Sequence, residues 1–173
     1  TMVNRADLEE RLLRDKAITA HEEFVTKHPG SPYTARRMFR LGELYFERSE
    51  EEFLAEADKY DELVDLFDAG KVDFLPEPPE KDYRRSIALY KKIIRNFKSY
   101  PNLGAVYYML GYCYSDEAGR HLDPQRAADV YRDLLANVPV SEYRAQAYFR
   151  LGDLYFEEND TDRALECYDQ ILD

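Results

Sequence analysis

Residues 145–156 read AQAYFRLGDLYF, and two upstream stretches match them: ARRMFRLGELYF at residues 35–46 and GAVYYMLGYCYS at residues 104–115. In each, a Leu-Gly pair has an aromatic three positions after the glycine: Leu41-Gly42 with Tyr45, Leu110-Gly111 with Tyr114, Leu151-Gly152 with Tyr155. Self-similarity at spacings of tens of residues marks stacked supersecondary units, none of which can bury its apolar face alone.

A second pattern comes after each copy, small-x-x-x-aromatic-x-x-apolar. It runs through Ser86, Tyr90 and Ile93; Ala127, Tyr131 and Leu134; and Ala164, Tyr168 and Ile171. A further instance, Ala17, His21 and Phe24, precedes the first copy, and Pro29 and Pro139 fall 12 residues after Ala17 and Ala127. Gly and Ala lack bulk, so two helices can approach closely there while Leu and Tyr fill the surrounding space. Proline cannot continue the second helix and starts the next connection.

The combination L-G-x-x-Y…A-x-x-x-F…P resembles the tetratricopeptide repeat, in which helices A and B of each unit lie antiparallel. Met38, Tyr107 and Tyr148 occupy the family's early Trp position. The resemblance implies an all-α fold, a right-handed superhelical solenoid of antiparallel helix pairs. One domain then spans 1–173: a B-type helix within 1–29 (roughly Arg5 to Lys27), repeat 1 at 33–100, repeat 2 at 102–139 and repeat 3 at 143–173. The A partner of the first helix reads as missing or replaced by residues near the start, and the last helix has no polar capping helix after it. Solenoids need such caps for solubility, so the expectation is a fragment of a longer array.

The copies depart from regularity in length. Gly152 to Ala164 is 12 residues, Gly111 to Ala127 is 16, and Gly42 to Ser86 is 44, so repeat 1 carries an insertion of about 32 residues within 47–80. Within it, Phe53, Leu54, Ala57, Tyr60, Leu63, Val64 and Phe67 form one stripe at helical spacing, opposite an acidic face. This segment reads as an extension of helix A or as a separate helix, stopped at Asp68-Ala69-Gly70. Its stripe either folds onto the solenoid or, through Phe53, Tyr60, Leu63 and Phe67, docks a partner. Leu75-Pro-Glu-Pro-Pro-Glu80 is stiff and extended and leads to helix B at about Lys81.

Composition narrows the function. A net charge of −11 repels phosphate backbones and argues against nucleic acid as a partner. The longest mostly apolar run, Gly104 to Tyr114, is too short to span a bilayer. Cys113 and Cys167 read as small buried hydrophobes, with a disulfide or a reactive thiol as alternatives. His21, His28 and His121 fit no metal-ligand spacing, and Asp160-Thr-Asp162 lacks the rest of a calcium loop. There is no GxSxG, Walker loop or HExxH, so neither an enzyme nor a cofactor is expected. Glu50-Glu51-Glu52 reads as a solvated face.

The resemblance implies a groove lined by the A helices. Its exposed positions are Phe39, Glu43 and Phe46; Tyr108, Tyr112 and Ser115; Phe149, Asp153 and Phe156. Such walls suit a protein or peptide with apolar anchors and Lys or Arg. The other reading is that these rings pack against neighbouring helices, and that Arg36, Arg40 and Arg150 pair with Glu43 and Asp153. The family's chaperone-tail clamp needs Lys and Asn where this chain has Phe39 and Glu43, Tyr108 and Tyr112, Phe149 and Asp153, so that partner is not implied.

The run HPGSPY…LGELYF is similar to a bacterial envelope subgroup that includes the outer-membrane assembly lipoprotein and the Tol-Pal coordinator. The insertion is also similar to that of large multi-repeat envelope proteins of gliding and predatory bacteria. The resemblance implies a periplasmic or cell-envelope scaffold, with a cytoplasmic setting as the alternative. A self-associating spacer with open ends, or a targeting or regulatory module of a larger protein, are rival readings.

Overall fold

The computed structural model describes residues 5–172, so the expected features at residues 1–4 and 173 lie outside it. Seven helices make up the described residues: α1 Arg5–Lys27, α2 Thr34–Asp68, α3 Arg84–Asn96, α4 Leu103–Ser115, α5 Pro124–Asn137, α6 Arg144–Glu157 and α7 Thr161–Leu172. Among these residues there is no strand, only an isolated bridge between Lys81 and Gly119. Each helix packs on its neighbours in sequence, and α4 also touches α6. The result is a solenoid of tetratricopeptide-like A/B pairs (α2/α3, α4/α5, α6/α7) preceded by α1.

The three glycines explain how each pair closes. A Cβ built on Gly42 would lie 2.5 Å from Cε1 of Tyr90. On Gly111 it would lie 2.5 Å from Cε1 of Tyr131, and on Gly152 2.5 Å from Cε1 of Tyr168. The B-helix tyrosine of the second pattern therefore packs directly against the A-helix glycine in every copy, a fit no larger residue allows. The same three tyrosines meet the aromatics Phe39, Tyr108 and Phe149 at ring separations of 5.9, 6.1 and 6.2 Å. Leu, Ile, Met and Tyr side chains of all three pairs fill one continuous core around these contacts.

Tyr90 and Tyr83 are both wholly buried, but their hydroxyls differ. That of Tyr90 finds no partner in the protein. An unsatisfied buried hydroxyl costs about 1–3 kcal/mol. Tyr90→Phe is thus expected to leave stability unchanged or raise it by up to about 1 kcal/mol, read as the midpoint of urea unfolding. A loss of more than about 1 kcal/mol would show that the hydroxyl is bonded.

The insertion begins as an extension of helix A. Nothing between Glu47 and Asp68 breaks a helix, so α2 continues for 35 residues. It ends at Gly70 (φ +67°), where Lys71 N–H donates to Leu66 O at 2.9 Å and Gly70 N–H to Phe67 O at 2.9 Å, the left-handed glycine stop. The chain then returns extended through the prolines. Val72, Leu75 and Pro79 are half-buried on this return, as are Phe53, Ala57, Tyr60, Leu63 and Val64 on α2, whereas Leu54 and Phe67 face solvent. The expected stripe is thus divided, its middle partly covered and its edges open.

The B helix starts at Arg84 rather than about Lys81. The Lys81 backbone is engaged elsewhere, its N–H donating to Ala118 O (2.8 Å) and its carbonyl accepting from Arg120 N–H (2.9 Å). Asp123 caps α5, accepting from Arg126 N–H at 3.0 Å, with Pro124 in the first turn. Cys113 and Cys167 are both buried and free.

Candidate functional site

The A helices bring the expected groove residues onto one face, but in unequal states. Phe39 is buried against Tyr90 and Tyr100, the latter at 6.4 Å. Phe46 stacks on Tyr83 at 4.8 Å and meets Tyr112 edge-on at 5.7 Å. Tyr108 lies 5.4 Å from Tyr143. Tyr112 is half-buried beneath the Arg150 guanidinium at 5.6 Å, and Ser115 Oγ lies 3.4 Å from the Tyr131 hydroxyl. Only the last copy leaves its rings open, Phe149 being 50% and Phe156 62% exposed.

The charged residues of the face are already partnered within the chain. Arg40 reaches Glu43 at 3.3 Å and Glu47 at 3.1 Å. Asp153 accepts from the Tyr168 hydroxyl at 2.8 Å, while Arg150 sits on Tyr112. The face therefore carries the rings of Phe46, Tyr112, Tyr108 and Phe149, of which Phe46 and Tyr112 touch each other, with the carboxylates of Glu43 and Asp153 beside them.

A second cluster lies where the two length departures meet. The return segment of repeat 1 runs beside the long A–B turn of repeat 2, and the Lys81–Gly119 bridge joins them. Lys81 Nζ lies 3.0 Å from Asp116 Oδ2 and 3.1 Å from Glu50 Oε1, with the Phe53 ring 5.4 Å away. The Tyr83 hydroxyl donates to Asp116 Oδ2 at 2.6 Å and also touches the Glu50 carboxylate. Burial, then these two carboxylates, push the Tyr83 phenol far up, so it stays a donor. Burial opposes the charge on Asp116, but hydrogen bonds from Tyr83, Lys81 and Ala118 N–H outweigh it and hold the carboxyl below its usual range. Asp82, which takes Arg84 at 2.6 Å, Arg120 at 3.4 Å and His121 at 3.2 Å, completes the outer edge.

None of Lys81, Tyr83, Glu50 or Asp116 is a candidate from the sequence as a site residue. The available signal was the excess length in two adjacent copies, 47–80 and the DEAGRHLDP turn, which invites the question whether the two loops touch. Lys81 Nζ and the Tyr83 hydroxyl both reach Asp116 Oδ2 and Glu50 Oε1, which makes the cluster a clasp between repeats 1 and 2. The insert residues Phe53, Tyr60, Leu63 and Phe67 do not share one open face: Phe53 lies against Lys81, Tyr60 and Leu63 are half-covered, and Phe67 is exposed.

Residues 115–173, which hold α5, α6 and α7, match the profile of the tetratricopeptide repeat. Among solved structures, the crystal structure of MamA is similar at 18% identity and a TM-score of 0.42, the match covering 99% of this chain and 95% of that one. No curated protein sequence matches the chain.

Proposed function

We propose that the chain is a non-catalytic scaffold whose A-helix face holds a protein or peptide segment with apolar anchors and basic residues. The observation that carries this is the set of A-helix rings Phe46, Tyr112, Tyr108 and Phe149, each already held by a neighbouring ring or guanidinium before any partner arrives. Side chains already immobilised lose little freedom on association, which favours binding. Asp153, whose partner is the neutral Tyr168 hydroxyl, keeps its negative charge beside the rings and favours Lys or Arg on the partner. The similarity of HPGSPY…LGELYF to envelope repeats supports a setting in a bacterial cell-envelope, periplasmic complex, which fractionation of cells carrying the full-length protein tests directly.

Groove binding is tested with a panel of basic-aromatic peptides and candidate envelope proteins. Truncating a well-packed aromatic anchor commonly removes about 2 kcal/mol of binding energy. Tyr112→Ala and Phe149→Ala are each expected to weaken the captured ligand at least about tenfold. If both variants bind every ligand as the parent does, these rings are not the binding surface.

A further inference from the structure

Charge is spread unevenly along this chain. The net charge is −11, yet residues 84–115 hold six Lys and Arg and no Asp or Glu. All six, Arg84, Arg85, Lys91, Lys92, Arg95 and Lys98, lie on α3 or just after it and are exposed. Ser86, Ile87, Tyr90 and Ile93 take the buried side of the helix. α3 therefore sinks its apolar side into the core and turns a ridge of cations outward. Arg84 pairs with Asp82 at 2.6 Å, and Arg85 lies on the Tyr45 ring at 5.2 Å. Lys91, Lys92, Arg95 and Lys98 reach no carboxylate among the described residues.

The complementary surface is on the same chain. Residues 54–68 of α2 hold six Asp and Glu against one cation, Lys59. Asp58, Asp61, Asp65 and Asp68 are exposed and have no cation partner among the described residues. Steps of three, four and three residues keep these four on one side of the helix. Arg85, Ala88, Lys92 and Arg95 are spaced by the same three, four and three. Two such helices laid side by side oppose three cations to three aspartates in register, whether they run parallel or antiparallel. Ala88 leaves room for the approach.

One molecule cannot make this contact with itself. The Gly42–Tyr90 contact sets antiparallel α2 and α3 level, so α2 passes Arg84 near Arg48. Asp58 then lies roughly 15 Å beyond the start of α3, at 1.5 Å per residue.

We propose that the α3 ridge docks the acidic 54–68 stretch of a second copy of this chain. The contact is head-to-tail, because each copy keeps a free ridge or a free acidic stretch after pairing. Association therefore continues past a dimer, into a ring where the rotation closes and into open chains where it does not. Exposed ion pairs are individually weak and are screened by salt, so the assembly is reversible and belongs to low ionic strength. It uses none of the groove rings.

The test is sedimentation velocity of the intact chain over a concentration series at ~50 mM and ~500 mM salt. The sedimentation coefficient is expected to rise with concentration at the lower salt and to stay monomeric at the higher. Reversing the ridge (Arg85→Glu, Lys92→Glu, Arg95→Glu) is expected to abolish the rise. Reversing the acidic stretch (Asp58→Lys, Asp61→Lys, Asp65→Lys, Asp68→Lys) is expected to do the same. All seven positions are exposed, so the melting curves are expected to match the parent's. A chain with both sets is expected to associate again, since its ridge and stretch have exchanged signs. A parent chain that stays monomeric at the lower salt overturns the proposal, as does association that either set leaves intact or that the combined chain fails to recover. Binding to phosphatidylglycerol vesicles that the ridge variant loses, with no self-association, would make a membrane surface the occupant and overturn it too.

Discussion

Tyr131→Ala is expected to destabilise the chain by about 3–5 kcal/mol, the range for deleting a large buried aromatic. Its ring is wholly buried and lies on the backbone at Gly111, where a Cβ would approach Cζ to 2.7 Å and Cδ1 to 2.9 Å. Tyr108 covers it from the groove side. With the ring gone, Gly111 faces the space that the ring filled. The pair α4/α5 is the middle of the array and holds α3 on one side and α6 on the other. In a solenoid, stability is a sum of repeats and nearest-neighbour interfaces, so weakening the middle unit weakens both junctions. Single domains are stable by about 5–15 kcal/mol, so the variant should be largely unfolded in modest urea. Circular dichroism across a urea series reads this, and a midpoint equal to the parent's would remove the glycine–tyrosine contact from the account of the fold.

Tyr83→Ala is expected to cost a similar amount, about 3–5 kcal/mol, for a different reason. It removes the stack on Phe46 and leaves Glu50 and Asp116 facing each other across Lys81 alone. Tyr83→Phe separates the two contributions. It keeps the stack and deletes a hydrogen bond to a charged group, for about 1.5–3 kcal/mol. The pH dependence has a definite sign. Asp116 is held below its usual range partly by the Tyr83 hydroxyl. That stabilisation is present above the unfolded carboxyl pKa of about 3.9 and is lost as pH falls through the folded value. The gap between the parent and Tyr83→Phe should therefore narrow below about pH 4. A gap that widened in acid would mean the hydroxyl does not stabilise the carboxylate.

The residues that pair the helices were legible because their chemistry is local. A glycine with Tyr three residues on, and a small residue with an aromatic four residues on, each announce a close approach within about one helix turn. Which tyrosine meets which glycine was not stated by the pattern, since Gly42 and Tyr90 are separated by the whole insertion. The length of α2 was open because Glu47 to Asp68 contains good helix formers and no breaker, which suits one helix or two. The clasp was hidden for another reason. Glu50, Lys81 and Asp116 are ordinary surface residue types, and only the return path of the prolines makes them neighbours. The groove aromatics were placed on the correct helices, but their exposure depends on whether a further helix pair stacks beyond each copy. Phe39 and Phe149 are equivalent in sequence and opposite in accessibility.

The length of α2 has a mechanical corollary. Aligned on their glycines, α4 ends level with Phe46, so residues 47–68 carry α2 about 33 Å further at 1.5 Å per residue. The first part is flanked by α1, through Arg11 and Arg14 on Glu51, and by the clasp at Glu50 and Phe53. This outrigger, acidic along its outer side, sets a standoff distance. A large body can lie flush against the solenoid on the other flanks, but on this one it must either stop short or straddle the rod.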